Sequence, residues 1–297
     1  MTARKISLGA PYRWLGESFA MCRAQPRVVF GAASLLMLVA LLPSMLQLLL
    51  EAALRPSMTV RLALQALFSV VSLVVFPPIV GGFYRLVHAL YAGRPASALD
   101  LFSVFRDTSA ARHLIFTNLV FILVSVALLL GMAFAFGGEP LLEYMRALAA
   151  LQPGATELPP FPDGLLTLMA AMLILALVVV TAQGLATAHI AVSGALPFAA
   201  IGAGFGAALR NIGAFLLFYL PLAVLGLLVA LAFVLVAVLV GAMLSVISPM
   251  LAAVLVAPVS LLLVLLMYAL MFTFFYHAWR DTLGSDEVIQ EDHQLVA

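Results

Sequence analysis

The sequence predicts an all-α integral membrane protein of six transmembrane helices, arranged as three units of an in-plane helix followed by a helical hairpin. Three observations carry this. Hydrophobic residues make up 65% of the 297 residues and charged residues only 9%, against about a quarter charged in an ordinary soluble domain. Long runs pass without a single charge: 28–50 is one of them, long enough at ~1.5 Å per residue to cross about 30 Å of hydrocarbon. In lipid each backbone polar group must pair within its own segment, which makes such runs helices. Finally, Lys and Arg gather at one set of span ends.

The first element expected is an amphipathic helix before Arg27. Tyr12, Leu15, Phe19 and Cys22 recur at spacings of three and four opposite Arg13, Glu17 and Arg23, a pattern suited to a helix lying in the headgroup zone with Trp14 and Tyr12 at that depth. Val28–Leu50 follows as the first span, too long for the apolar core of a cleaved signal peptide and therefore expected to remain as an anchor. A polar break runs from Glu51 to Arg61. The second span, Leu62–Tyr91, holds Pro77 and Pro78, for which a kink or a break is expected. After Gly93-Arg94-Pro95 comes a second in-plane segment, with Leu99, Phe102, Val104 and Phe105 on one side and Ser97 and Asp100 spaced as a capping box.

The third span is His113–Phe136. The loop 137–164 contains a short surface helix around Leu141–Leu148, stopped by Gln152-Pro153-Gly154 and continued by a proline-rich connector. The fourth span, Leu165–Val192, ends at Ser193-Gly194. Phe198, Ile201, Phe205 and Leu209 then mark a third in-plane helix, followed by spans at Gly213–Val240 and Val246–Trp279 joined near Gly241 and Pro249. Unit boundaries fall at 1–92, 93–193 and 194–284. The tail is read as starting near Asp281, with 285–297 expected to be disordered for want of apolar residues.

Eleven Arg or Lys residues (Arg4, Lys5, Arg13, Arg23, Arg27, Arg85, Arg94, Arg106, Arg112, Arg210 and Arg280) lie on one side of this topology. Arg55, Arg61 and Arg146 lie on the other. This asymmetry predicts both termini in the cytoplasm. Phe19…Arg23, Phe102…Arg106 and Phe205…Arg210 each precede a span, which suggests an internal repeat whose copies run in parallel about the membrane normal.

With Trp14…Phe19…Arg23, Gly93-Arg94-Pro95, Leu101-Phe102 and Phe105-Arg106 in view, the chain resembles a family of uncharacterised proteobacterial six-helix inner-membrane proteins. It is more distantly similar to YciC-type membrane proteins and to the membrane domain of some glycerophosphodiester phosphodiesterases. The resemblance implies six helices, amphipathic cytoplasmic helices and a bacterial inner membrane. It supplies no catalytic or binding residues.

Chemistry is sparse. All thirteen acids lie in loops, surface helices, span ends or the tail, and no paired-histidine metal motif, nucleophile elbow or phosphate loop is present. Gly202-x-Gly204-x-Gly206 lacks a preceding strand and reads as close helix packing. A single Cys, Cys22, is expected to be a reduced, inert thiol. No cofactor is implied, and a net charge of +1 gives no basic surplus for nucleic acid.

The candidate site residues fall into two sets. Arg23, Arg106 and Arg210 are expected to meet lipid headgroups. His88, His189 and His277 lie at one level of the three second helices and, with Asn118 and Gln183, form a possible polar cluster; whether the rings converge on a metal is open, the alternative being three separate rings at the headgroup boundary. Asn118 and Gln183 are the polar residues expected to face protein. The function read from these features is that of a non-enzymatic scaffold, accessory or lipid-interacting protein, with membrane lipids and other membrane proteins as partners. The alternative is a transporter or channel for a small solute, with a polar cavity lined by Gln183, Asn118, Thr181 or Ser72.

Overall fold

The computed structural model describes residues 3–135, 138–150, 159–161, 164–245 and 249–284. Among these the chain is helical throughout, with no strand: α1 (Ala10–Ala24), α2 (Pro26–Leu54), α3 (Met58–Tyr91), a 3₁₀ segment (Ala98–Arg106), α4 (Thr108–Ala135), α5 (Gly138–Ala149), α6 (Leu165–Ser193), α7 (Pro197–Arg210), α8 (Ile212–Ser245) and α9 (Pro249–Leu283). The stretch around Gln152-Pro153-Gly154, part of the α8–α9 hairpin and the tail 285–297 lie outside the described residues.

Among the described residues five helices are long and apolar enough to cross a membrane: α2, α3, α4, α6 and the Ser260–Leu283 part of α9. A sixth is reached if the bent pair Pro197–Arg210 and Ile212–Leu228 counts as one span. The bend there is 74°, which is what a surface helix turning into a crossing requires, so the protein is a polytopic all-α membrane protein.

Helix ends differ from the sequence reading in instructive ways. The break after the first span is only Arg55–Ser57: Glu51 still belongs to α2 and Arg61 already to α3. Arg55 caps α2 in the left-handed conformation, at φ 43°, an unusual state for a residue with a side chain. Pro77 and Pro78 do not break α3, which continues through them to Tyr91, and both are buried. Proline is tolerated inside a membrane helix where neighbouring helices and local adjustments re-satisfy the freed backbone groups. The second in-plane segment is 3₁₀ rather than α-helical. Its period of three buries Leu101 and Val104 and leaves Leu99 and Phe105 exposed, correcting the expected apolar face. Ser97 N–H donates to Asp100 Oδ2 at 2.7 Å, as the capping box requires.

Packing is concentrated at one end of the bundle. In α2 the buried positions are Val29, Ala32, Ala33 and Leu36, all in its first half; in α3 they run from Pro77 to Val87; in α4 from Ala110 to Phe121. In α9, among the residues whose side chains are described, they begin at Ala269. Trp14, Phe83, Tyr84, Tyr276 and Trp279 fill the centre of this end with almost no exposure.

Small residues allow the approach. A Cβ on Gly82 would sit 1.8 Å from the carbonyl oxygen of Leu101, and one on Gly204 would sit 2.4 Å from that of Ala182. Only glycine lets the 3₁₀ segment rest on α3 and α7 on α6. Gly202 and Gly206 meet nothing within 4 Å, so the packing role of the glycine triplet belongs to its middle member.

The termini of the described chain meet at the same end. Arg4 N–H donates to Thr282 O at 2.9 Å, the Arg4 guanidinium donates to Gly284 O, and Asn211 binds Ile6 N–H and Arg4 O at 3.0 Å each. N- and C-terminal segments therefore share one face.

Candidate functional site

α1 docks through a face that its apolar periodicity does not mark. Trp14, Ser18 and Cys22 are buried together with Ala10 and Pro11, while Tyr12 and Phe19 stay exposed at 48% and 45%. Trp14 is thus no interfacial anchor. Its indole N–H donates to Asp281 Oδ2 at 2.7 Å, and its ring packs edge-on to Phe274 at 5.6 Å. Asp281, placed in the tail from sequence, is helical and bonds Arg13 at 2.6 Å and Arg280 at 2.8 Å. Arg280 also reaches Glu17 at 3.1 Å and lies 4.8 Å over the Tyr91 ring.

A half-buried charge network thus ties α1 to the end of α9. Burial pushes the Glu17 carboxyl above its usual range, against the pull of Arg280 and Arg13. Burial likewise raises the Cys22 thiol, consistent with an inert side chain.

The three histidines lie in the same layer but engage separately. His88 Nδ1 is 3.0 Å from Tyr276 OH, and His189 Nδ1 accepts from the Trp279 indole at 3.2 Å. His277 Nδ1 lies 3.1 Å from Glu17 Oε2, but it is misaligned, and neither ring nitrogen is hydrogen-bonded among the described residues. Among those residues no group of three His, Cys, Asp or Glu side chains is arranged to hold a metal. α9 keeps the rings apart by giving Tyr276 to His88 and Trp279 to His189, while His277, on α9 itself, lies toward Glu17 of α1.

Asn118 and Gln183 do meet, the Gln183 amide donating to Asn118 Oδ1 at 3.0 Å. This pair stands where cavities adjoin. A cleft of about 610 Å³ between α2, α3 and α4 is lined by Gln47, Gln65, Ser69, Ser72 and Asn118 among mostly apolar residues. A pocket of about 180 Å³ between α3, α6 and α9 takes in Asn118, Gln183 and Thr187. Thr181 Oγ1 is buried without a partner among the described residues and faces α7 and α8 rather than the cleft.

Arg23, Arg106 and Arg210 are all exposed. Each lies in the last turn of its short segment, in α1, the 3₁₀ helix and α7. None of the three forms an ion pair with a described residue, whereas Arg85 is held by Asp107 at 2.8 Å. That contact, with the Ala110 N–H, holds the Asp107 carboxyl below its ordinary range.

The charge network of Arg13, Glu17, Arg280 and Asp281 and the clamp at Asn211 were missed from sequence. The available signal was the i,i+4 spacing of Arg13 and Glu17 beside a Trp, matched by an Arg-Asp pair closing the last helix. No family model, curated protein or solved structure matches the chain.

Proposed function

We infer that the protein is a non-enzymatic, lipid-interacting scaffold or accessory protein of a bacterial inner membrane, with both termini cytoplasmic, as the family resemblance and the charge asymmetry imply. One observation carries this reading. Three short segments each present an exposed arginine with no ion-pair partner among the described residues, beside exposed Phe19, Phe105 and Leu209. Apolar side chains inserting beside an unpaired cation is the physical requirement for binding an anionic bilayer surface. The aromatic layer beneath, Trp14, Tyr84, Tyr276 and Trp279, fills the bundle where a solute path would have to emerge.

The test is reconstitution in nanodiscs of phosphatidylcholine with and without phosphatidylglycerol, followed by thermal unfolding. Anionic lipid is expected to stabilise the wild type by about 1 kcal/mol per arginine near the surface. The triple variant Arg23→Gln, Arg106→Gln, Arg210→Gln is expected to lose most of that gain. Equal gains in both proteins would overturn the reading.

The transporter alternative is favoured by the cleft and its Asn118–Gln183 border. It requires solute flux in proteoliposomes that Asn118→Leu abolishes.

A further inference from the structure

A cavity of about 670 Å³ opens between the end of α3, the 3₁₀ segment and the end of α6; Arg85, His88, Arg94, Asp100, Ser103 and Ser193 are among its lining residues. The turns that close the ends of α3 and α6 around it are made by glycines in the left-handed conformation, Gly93 at φ 64° and Gly194 at φ 67°. Gly93-Arg94-Pro95, prominent in the sequence, is thereby placed at the cavity wall.

The polar groups are unevenly committed. The Arg85 guanidinium is fixed by Ala191 O at 2.7 Å and by Asp107 Oδ2 at 2.8 Å, and Asp107 is not part of the lining. Arg94 is exposed, with no ion pair to a described residue. His88 is engaged by Tyr276. Asp100, the acid in the lining, already accepts from Ser97 N–H. Ser103 Oγ is buried and has no hydrogen-bond partner among the described residues, an arrangement that buried hydroxyls avoid.

Asp107 offsets Arg85 and Asp100 is held by a backbone N–H, so the groups left to a ligand are the exposed Arg94 guanidinium, without an ion pair to a described residue, and the spare Ser103 hydroxyl. A guanidinium beside a hydroxyl donor suits an oxyanion with several acceptor oxygens.

We propose that this cavity binds a phosphate-bearing anion, either the phosphodiester of a phospholipid headgroup or free phosphate, seated by Arg94, backed by the immobilised Arg85 and hydrogen-bonded by Ser103. The proposal rests on the lipid-interacting reading and adds a defined seat to it. Arg23, Arg106 and Arg210 attract an anionic surface; Arg94 holds one anion.

The experiment uses the full chain in a neutral maltoside detergent and follows thermal unfolding during titration with inorganic phosphate, dioleoylphosphatidylglycerol, or diacylglycerol as the phosphate-free control. A ligand that binds only the folded state raises its stability in proportion to occupancy. A phosphate-bearing probe is expected to raise the melting temperature of the wild type, with a midpoint concentration about fivefold or more higher in Arg94→Gln. Arg94→Lys should recover the charge and most of the affinity, Ser103→Ala should give an intermediate midpoint, and the surface triple variant should keep the wild-type midpoint for inorganic phosphate.

A response to phosphate alone assigns the free anion, a response to lipid alone assigns the headgroup, and both support the cavity. Identical midpoints in wild type and Arg94→Gln, or an equal response to diacylglycerol, would overturn it. If Arg94→Gln is silent while the surface triple variant loses its anionic-lipid stabilisation, the cavity fails and the surface reading survives. The converse result separates them the other way.

Discussion

The end of the bundle where the termini meet and the end where α2 turns into α3 are built from similar residues to different densities. At the first, Trp14, Leu36, Phe83, Tyr276 and Trp279 are enclosed by protein. At the second, Leu48, Leu49, Leu54 and Met58 are each more than 60% exposed, and the hairpin is joined by Gln47–Gln65 at 2.8 Å and Glu51–Arg61 at 3.4 Å. Leucine against lipid gains as much as leucine against leucine, because the hydrophobic effect drives membrane insertion and not helix association. What distinguishes the two ends is therefore the supply of glycines that permit close approach, as Gly82 and Gly204 do at the dense end.

Substitutions at matched positions measure that difference, the largest effect coming from the dense end. Trp14→Ala removes a buried ring and one of the three donors to Asp281, which keeps Arg13 and Arg280; a loss of about 3–5 kcal/mol is expected in thermal or denaturant unfolding. Leu48→Ala at the open end should change stability by less than about 0.5 kcal/mol. Next comes Gly82→Ala. Its methyl would meet the Leu101 carbonyl, so the 3₁₀ segment must lift, at about 1–3 kcal/mol. The counterpart Gly131→Ala, with nothing within 4 Å, should be neutral or mildly stabilising.

A double-mutant cycle on Asn118→Leu and Gln183→Leu is expected to return a coupling of about 0.6 kcal/mol. A value near zero would show that the amides are solvated by the cleft instead of by each other. The smallest effect concerns pH. Asp107 titrates below its ordinary value because Arg85 bonds its ionised form, so its contribution is present above the unfolded carboxylate pKa of about 3.9 and is lost as pH falls through the lower folded value. Asp107→Asn should flatten that part of the stability profile. Glu17 is raised by burial and acts in the opposite sense, its stabilisation declining as pH rises from the unfolded to the folded value.

How far the sequence revealed all this depends on which force writes the pattern. The spans were legible because a bilayer imposes a length on uncharged runs, and 28–50 satisfies it with no other reading available. Asn118 and Gln183 were legible because polar amides at mid-membrane need partners. The faces of the short helices were not. With lipid on one side and protein on the other, α1 is apolar both ways, and periodicity cannot say that Trp14 turns inward while Tyr12 and Phe19 turn out. The separate engagement of the histidines was hidden for a similar reason: their common level follows from helix length, but Tyr276 and Trp279 as intervening partners depend on how α9 is rotated. Asp281 was misplaced because an acid just past an apolar run resembles the start of a solvated tail, and only the arginine and indole of a helix some 270 positions earlier give it a place inside.

The pairing of Arg4 with Thr282 and Gly284 also orders events in time. A ribosome releases the N-terminal segment before α9, so Asn211 can hold Arg4 O and Ile6 N–H while the bonds from Arg4 to Thr282 and Gly284 still wait for the end of α9 to be made. Until then the indole of Trp14 and the guanidinium of Arg13 lack their carboxylate. A nascent chain halted before Asp281 carries an α1 that can touch α8 through Tyr12 and Trp14 but still lacks the carboxylate that fastens it to α9.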